Sequence, residues 1–328
     1  MTGRRHFLAT LGGALLAGPV AGLGQAPAKT WHIGYLGAGV HPSDAAAPIA
    51  LRQALHDLGY VEGRNVTYVA RWAEARSERL AGLATELVAL SPDLLLTTGW
   101  KGAHALKEAT STIPIVFVGA GDPVRGGLSK SMARPGGNAT GISDQSAELS
   151  GKRLELLRQA VPTAERIAVL WNADDMAMTL RYREIEKAAQ VLGVRVVPLG
   201  VREPEDFEQA FSAMAREAPD ALLLVTDALT ILNRRRVLEF AAAHRIPAMY
   251  EYAYLVREGG LISYGPDFDD MYRRAAVYAD HILKGAAPGD LAIEQPTRYY
   301  LVVNTKTARS LGLAVPSALL LRADELIQ

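Results

Sequence analysis

Residues 112–123 read TIPIVFVGAGDP, and this stretch decides the fold of the chain. Its centre, residues 115–118, is a run of apolar side chains without polar alternation, which is typical of a parallel strand covered on both faces. Gly119 and Gly121 allow the backbone to turn sharply where the strand ends. Asp122 then follows the carboxyl end of the strand, the edge at which open α/β sheets bind ligands. The stretch therefore predicts a buried strand beside a candidate binding site.

Short apolar runs and stretches of helical periodicity alternate along both halves of the chain. In the first half, strands are predicted at 31–36, 65–71, 92–98 and 113–118, with helices at 46–58, 77–90 and 103–109. In the second half, strands are predicted at 166–171, 194–199, 220–225 and 246–250, with helices at 179–192, 206–216 and 231–244. This order predicts an α/β fold with parallel sheets that carry helices on both faces.

The two halves share three dipeptides at a near-constant spacing. Leu-Gly at 58–59 recurs at 192–193, Pro-Asp at 92–93 recurs at 219–220, and Ile-Pro at 113–114 recurs at 246–247. These words indicate two copies of one α/β unit, and the alternative is that any two α/β halves share the same rhythm.

The repeat predicts two doubly wound, Rossmann-like lobes. The first comprises 29–142 plus about 252–290, and the second comprises 143–251 plus about 291–328. Because both lobes are discontinuous, several segments must connect them, which predicts a multi-strand hinge.

Composition and motifs exclude several classes of function. The 328 residues include 35 Lys and Arg against 35 Asp and Glu, so no basic face for nucleic acid is expected. The absence of cysteine excludes disulfides and thiolate chemistry, and the histidines lack metal-ligand spacing. The run GYLGAG at 34–39 has the wrong glycine order for a dinucleotide site, and no Walker A sequence or G-x-S-x-G elbow occurs. We expect no cofactor, no metal and no catalytic residue.

The first 28 residues have the features of an export signal. Arg4 and Arg5 precede a mild apolar run at 8–23 and a small-residue cleavage site ending at Ala28. The paired arginines resemble a twin-arginine signal, with a membrane anchor as the alternative. We predict a periplasmic protein cleaved near Ala28, and the absence of cysteine argues against a lipid anchor.

Polar and aromatic residues at the predicted strand ends and crossovers are the candidate ligand contacts. They are Gly37, Ala38, Trp72, Thr98, Gly99, Asp122, Ser143, Asn172, Asp227, Glu251, Tyr252 and Tyr264. Each has a structural alternative. Asn172 and Asp227 could cap helices, Asp122 could form a turn, and Trp72 or Tyr264 could be packing residues. Thr98 could be an ordinary polar residue at a strand end.

Several longer sequence segments resemble those of the substrate-binding proteins of the tryptophan/tyrosine-type ABC transporter family. They are LGYVEGRNVTYVARWAE (58–74), TIPIVFVGAGDPV (112–124), RPGGNATGIS (134–143), KRLELLRQAVP (152–162), GGLISYG (259–265) and KTARSLGLAVPSALLLRADELI (306–327). The resemblance covers essentially the whole chain after the export signal. It departs from the family at residues 39–42 (GVHP), where a serine-rich loop is expected.

The resemblance implies a type I periplasmic binding protein fold, in which two lobes close on a small ligand without catalysis. It implies a partner permease in the inner membrane, and it places Asp122, Ser143, Asn172, Asp227 and Glu251 in the cleft. We expect a monomeric receptor for an amino-acid-like or aromatic solute. One alternative is the ligand-sensing module of a regulatory system. The other is a secreted α/β hydrolase, against which the absence of a G-x-S-x-G elbow counts.

Overall fold

The computed structural model describes residues 29–39, 48–144 and 146–328. The predicted export signal at 1–28 and most of the departing loop at 39–42 lie outside these residues. The strands are β1 Trp31–Gly37, β2 Val66–Trp72, β3 Leu94–Thr98, β4 Ile115–Val118, β5 Ala139–Ile142, β6 Arg166–Asn172, β7 Arg195–Val201, β8 Ala221–Leu224, β9 Ala248–Tyr250, β10 Ile262–Gly265, β11 Tyr300–Asn304 and β12 Glu325–Ile327.

The helices alternate with the strands. They are α1 Ile49–Asp57, α2 Leu80–Ala89, α3 Trp100–Ala109, α4 Ser146–Ala160, α5 Met176–Leu192, α6 Asp206–Glu217, α7 Ala228–Leu232, α8 Arg234–Ala243, α9 Ala253–Arg257, α10 Phe268–Leu283, α11 Thr305–Leu311 and α12 Ser317–Leu320. Every helix predicted in the two repeated halves is present, with 231–244 divided between α7 and α8. Helices α4, α9, α10, α11 and α12 lie outside those two sets of predicted helices.

The strands form two sheets with the same internal order. The first sheet runs β2-β1-β3-β4-β5, and the second begins β7-β6-β8-β9-β10 and adds β11 and β12. All pairings are parallel except that of β10 with β11. This matching order confirms the predicted two-lobed α/β fold and supports the repeat inferred from the recurring words.

Each sheet is covered by helices on both faces and has its own apolar core. Helices α1, α2, α3 and α10 cover the first sheet, and we call this unit the first lobe. Helices α4 to α9, α11 and α12 cover the second sheet, and we call this unit the second lobe. Residues Ile115–Val118 are buried between β3 and β5, as the opening stretch predicts.

The chain changes lobes at three places, and two of them correct the predicted lobe limits. Residues 252–265 lie with the second lobe rather than the first, because α9 carries the chain from β9 to β10, which pairs beside it. Residues 291–293 stay with the first lobe, since Ile293 packs in its core and donates its N–H to the carbonyl of Met132 at 2.7 Å. The other crossing follows β5.

Candidate functional site

A cavity of about 520 Å³ lies where the carboxyl ends of the two sheets face each other. Both lobes contribute to its lining, as expected for a ligand site in a doubly wound fold. Of the residues predicted from the sequence, it is lined by Ala38, Trp72, Thr98, Gly99, Asn172, Asp227 and Tyr252. The remaining predicted residues, Gly37, Asp122, Ser143, Glu251 and Tyr264, do not line it.

The first lobe lines the cavity largely with aromatic rings. The rings of Tyr35 and Trp72 lie 5.1 Å apart at 43°, and Tyr272 lies beside them in the same wall. Thr98 Oγ1 is 3.0 Å from the Tyr35 hydroxyl and 2.9 Å from the Tyr272 hydroxyl, so the three hydroxyls form one chain. Burial raises the pKa of Tyr272 to about 12, which keeps this hydroxyl neutral.

A second aromatic pair closes the cavity on the hinge side. Tyr252, from the second lobe, meets Phe268 edge to face with ring centroids 4.7 Å apart. Phe268 starts α10 and lies against Gly119, whose positive φ of 68° and missing Cβ make room for the ring. These rings offer the flat apolar surfaces against which an aromatic ligand packs favourably.

Gly37 supports the aromatic wall without lining the cavity. A Cβ atom at this position would overlap the indole of Trp72, which crosses the end of β1. The glycine predicted as a ligand contact is therefore a packing requirement for Trp72.

Replacing Gly37 by alanine should displace the indole ring and lower the free energy of unfolding by about 1–3 kcal/mol, the usual effect of overpacking. Gly82→Ala is the matched control, because no atom lies within 4 Å of its added Cβ in helix α2. Urea unfolding followed by tryptophan fluorescence compares the two. Equal stability of both variants would contradict the assigned role of Gly37.

Asp227 combines the two roles that the sequence left open, helix cap and cavity residue, and Asn172 donates a hydrogen bond to it. Asn172 Nδ2 donates to Asp227 Oδ2 at 2.6 Å, and Asp227 Oδ1 accepts from the backbone N–H of Thr230 at 2.9 Å. Asp227 is thus the N-cap of α7, with Thr230 completing a capping box. Both residues also line the cavity, so the capping bonds hold polar groups at the site.

Asp175 is a cavity residue that the sequence analysis missed. It is buried and caps α5, accepting at Oδ1 from the N–H groups of Ala177 at 2.8 Å and Met178 at 3.3 Å. Burial, followed by the nearby charge of Asp227, raises the pKa of Asp175 to about 6. The only sequence signal was an acid one residue before the helix, which is the ordinary mark of an N-cap.

Asp122 does not lie in the cavity. Its Oδ1 accepts from the N–H groups of Val124 at 3.0 Å and Arg125 at 2.9 Å, which closes the turn after β4. Asp122 therefore has the contacts of a turn-forming residue, the alternative given from the sequence, and its ligand contact stays a prediction.

Glu251 lies in a buried ion-pair network behind the cavity. Its carboxylate contacts Arg153 Nη1 at 3.0 Å and Arg181 Nη1 at 2.8 Å, while Arg181 Nη2 contacts Asp144 Oδ2 at 2.9 Å. All four side chains are at most 2% exposed. Although burial alone would lower it, the pKa of Arg181 is raised by Asp144 and Glu251, so the guanidinium stays charged.

The other predicted hinge residues surround this network. Ser143 is buried and donates through Oγ to the carbonyl of Gly121 at 2.6 Å. The carbonyl of Tyr264 accepts from Arg153 Nε at 2.7 Å, and its ring lies 6.0 Å from that of Tyr299. Because Asp144 borders the crossing after β5 and Tyr264 lies in β10 before the next crossing, the network ties the hinge to the second lobe. Sequence reasoning placed Ser143, Glu251 and Tyr264 at the cleft, and the structure places them at the hinge.

The two lobes also touch across the mouth of the cleft. Lys101 Nζ of the first lobe lies 3.2 Å from Asp174 Oδ2 of the second, and Arg125 Nη1 lies 3.6 Å from Glu184 Oε1. The part of the chain that the structure describes contains no group of three or more potential metal ligands. Nor does any helix within that part have the length and apolar character needed to cross a membrane.

Comparison with known proteins gives relatives of the same architecture. The chain is 28% identical over 278 residues to a tyrosine-binding protein of Clostridioides difficile (strain R20291), covering 85% of this chain and 80% of the relative. A conserved domain protein from Vibrio cholerae superposes with a TM-score of 0.85 at 28% identity, over 91% of this chain and all of that one.

Two further structures bear on the arrangement of the lobes. An ABC domain from Streptococcus pneumoniae in complex with L-Trp has a TM-score of 0.84 at 24% identity, over 91% of this chain and 100% of that chain. A ligand-free, open substrate-binding protein from Clostridium difficile has a TM-score of only 0.63 at 25% identity, over the same shares. In this structure the lobes contact each other across the cleft. The family model for ABC transporter substrate-binding proteins matches residues 39–327, and the chain belongs to that family.

Proposed function

We propose that the protein is the solute receptor of an ABC importer for an aromatic amino acid. One observation carries the proposal: a cavity between the lobes in which aromatic rings of one lobe face the carboxylates of the other. Tyr35 and Trp72 provide the ring surfaces, and Asp175 and Asp227 provide negative charge. The tyrosine-binding relative, at 28% identity over most of both chains, supports the same class of ligand.

The mechanism needs no bond making. A ligand that touches both walls binds the closed form more tightly than the open form and so shifts the population toward closure. The pairs that join the lobes, Lys101–Asp174 and Arg125–Glu184, each include one exposed side chain and contribute at most about 1 kcal/mol each. Closure must therefore depend mainly on the ligand, as a receptor that reports occupancy requires.

The contacts in the cavity decide which candidate residues from the sequence can touch the ligand. Trp72 and Tyr252 remain candidates for contact with the ligand ring, and Asp227 remains a candidate for contact with an ammonium group. Asp122 and Glu251, the other two acidic candidates from the sequence, are engaged in a turn and in the buried network. Ala38, Thr98 and Gly99 complete the first-lobe wall.

The wider assignments form part of the same proposal. Family membership supports an extracytoplasmic receptor that delivers its ligand to a membrane permease. We infer a periplasmic, monomeric protein, exported by the signal at 1–28 and cleaved near Ala28, without a nucleic acid partner. We also infer that it has no enzymatic activity, since binding and release are sufficient for delivery.

A ligand panel tests the proposed function. The purified mature chain is titrated calorimetrically with L-tyrosine, L-tryptophan and L-phenylalanine, with glucose and L-glutamate as controls. An aromatic amino acid present at about 100 times its Kd should raise the free energy of unfolding by about 2.7 kcal/mol through mass action. Binding of glucose or L-glutamate, with none of the aromatic amino acids bound, would overturn the proposal.

A further inference from the structure

The aromatic wall of the first lobe contains a chain of three hydroxyl groups. Thr98 Oγ1 lies 3.0 Å from the hydroxyl of Tyr35 and 2.9 Å from that of Tyr272, and we call these groups the hydroxyl chain. All three residues line the cavity, and Thr98 and Tyr272 are half-buried. Both hydrogen bonds are only partly buried, so a ligand in the cavity can reach the hydroxyl chain.

The surrounding rings hold the hydroxyl chain in place. The ring of Tyr35 packs on Trp72 with centroids 5.1 Å apart, and the ring of Tyr272 packs on Phe268 with centroids 5.7 Å apart. Thr98 ends β3, the strand that pairs with β1, which carries Tyr35. The three oxygens are thus positioned by packing before any ligand binds, and such preorganisation lowers the entropic cost of a hydrogen bond to the ligand.

The hydroxyl chain has acceptor positions to spare. Burial raises the pKa of Tyr35 well above its ordinary value and that of Tyr272 to about 12, so both remain neutral hydroxyls at physiological pH. Each hydroxyl can donate one hydrogen bond and accept two. Bonds among three hydroxyls can therefore use all of their protons but at most half of their lone pairs. Whichever way the protons point, a donor from the ligand finds an acceptor.

Other polar groups of the same wall already have partners within the protein. Lys101 Nζ donates to Ser77 Oγ at 2.7 Å and lies 3.2 Å from Asp174 Oδ2. Trp100 Nε1 donates to the carbonyl of Gly126 at 2.8 Å. These groups are committed, whereas the hydroxyl chain keeps its spare acceptor positions.

A ring that packs on Tyr35 and Trp72 lies beside the hydroxyl chain, because Tyr35 belongs to both. An O–H or N–H group on that ring loses its water when it is buried, and an acceptor in the wall compensates for the loss. The phenol of tyrosine and the indole of tryptophan carry such a donor. The ring of phenylalanine does not, so it makes no hydrogen bond there.

We propose that the hydroxyl chain selects aromatic amino acids whose ring carries an O–H or N–H donor and discriminates against phenylalanine. Thr98, which contacts both tyrosine hydroxyls, is the central specificity-determining residue. The inference rests on the proposed function and narrows its class of ligand. A site that hydrogen-bonds a group of the ligand rejects an analogue that lacks the group far more strongly than an apolar pocket can.

Ligand selectivity in the wild-type protein is the first test. Calorimetric titration compares L-tyrosine and L-tryptophan with L-phenylalanine and with 4-fluoro-L-phenylalanine, which keeps the shape of a para-substituted ring but has no donor on it. The better bound of L-tyrosine and L-tryptophan should bind about 10- to 100-fold more tightly than either phenylalanine. If 4-fluoro-L-phenylalanine binds as tightly as that amino acid, ring shape sets the preference and the inference fails.

Conservative variants then test the residues. Thr98→Val and Tyr272→Phe each remove one hydroxyl and keep the rest of the side chain. Each should reduce the preference over L-phenylalanine by about 3-fold or more, mainly by weakening the donor-bearing ligand. Thr97→Val is the matched control, since Thr97 lies next in β3 but donates to the carbonyl of Leu36 at 2.8 Å and does not line the cavity. It should leave the preference unchanged.

The ratio of affinities separates selectivity from general damage to the fold, which would weaken all ligands alike. An unchanged ratio in both Thr98→Val and Tyr272→Phe would overturn the inference. So would wild-type binding of L-phenylalanine as tight as that of both L-tyrosine and L-tryptophan, although the proposed function would then stand. If the wild-type protein binds no aromatic amino acid, the proposed function itself fails and the inference fails with it.

Discussion

Replacing Glu251 by glutamine is expected to lower the free energy of unfolding by about 3–5 kcal/mol. The change retains the size of the side chain and removes its charge, so Arg153 and Arg181 are left with Asp144 as their single buried counterion. An unbalanced buried charge is among the most destabilising changes in a protein, because the ion has lost its hydration. Urea unfolding at neutral pH measures the effect.

Two further variants make this test specific. Glu258→Gln breaks the exposed pair with Arg234, which spans 2.8 Å, and should change stability by less than about 1 kcal/mol. Replacing Arg153 and Glu251 together by methionine leaves Arg181 paired with Asp144 and should recover much of the lost stability. If Glu251→Gln unfolds within about 1 kcal/mol of the wild type, the network does not carry the buried charges described here.

Affinity for the aromatic amino acid is expected to fall about 10-fold between about pH 7.5 and about pH 5. Burial and then Asp227 raise the pKa of Asp175 to about 6, against smaller opposing effects of Lys101, the Met178 N–H and Arg181. The ligand ammonium favours the ionised carboxylate. Below about pH 6 a proton must therefore leave Asp175 when the ligand binds, and each pH unit weakens binding roughly tenfold.

The stability of the ligand-free protein should respond in the opposite direction. The pKa of Asp175 is higher in the folded chain than in the unfolded chain, so the folded state binds the proton more tightly. The contribution of this residue to stability is therefore greatest at low pH and is lost as the pH rises through about 6.

Calorimetric titrations between about pH 7.5 and about pH 5 test the expected loss of affinity. In Asp175→Asn the affinity for the ligand should not change with pH over this range. A wild-type affinity that is equally independent of pH would contradict the assignment of Asp175 as the titrating ligand contact.

The sequence was a good guide to the fold because strand and helix periodicities are local properties. The apolar run at 115–118 and the dipeptides repeated between the halves sufficed to predict two copies of one α/β unit, and the two sheets share their strand order. Lobe limits were harder to predict, because β10 could join either sheet by its composition. Pairing with β9 through the short helix α9 decided its place.

Residues at the site were predictable where a strand end, or the loop directly after it, forms the cavity wall. Trp72, Thr98 and Asn172 meet that condition and line the cavity. Asp122 and Glu251 also follow strands, but their carboxylates bond to a turn and to buried arginines instead. The direction of a side chain beyond a strand end depends on partners that are distant in sequence.

Arg153 and Arg181 show what the sequence analysis could have used. Arg181 shares one face of α5 with the buried residues Met178 and Ile185, and Arg153 lies beside Leu154 and Leu157 on the buried side of α4. A charged residue within an apolar helical stripe indicates a buried partner. The identities of those partners, Asp144 and Glu251, follow only from the folded hinge.

A crystal structure of the protein with L-tyrosine or L-tryptophan bound is the most direct test of the two-wall account. The ring should lie against Tyr35 and Trp72, and the ligand nitrogen should lie within about 3.2 Å of Asp175 or Asp227. A ligand bound in the reverse orientation, with its α-carbon end on the first lobe, or bound outside this cavity, would contradict the account.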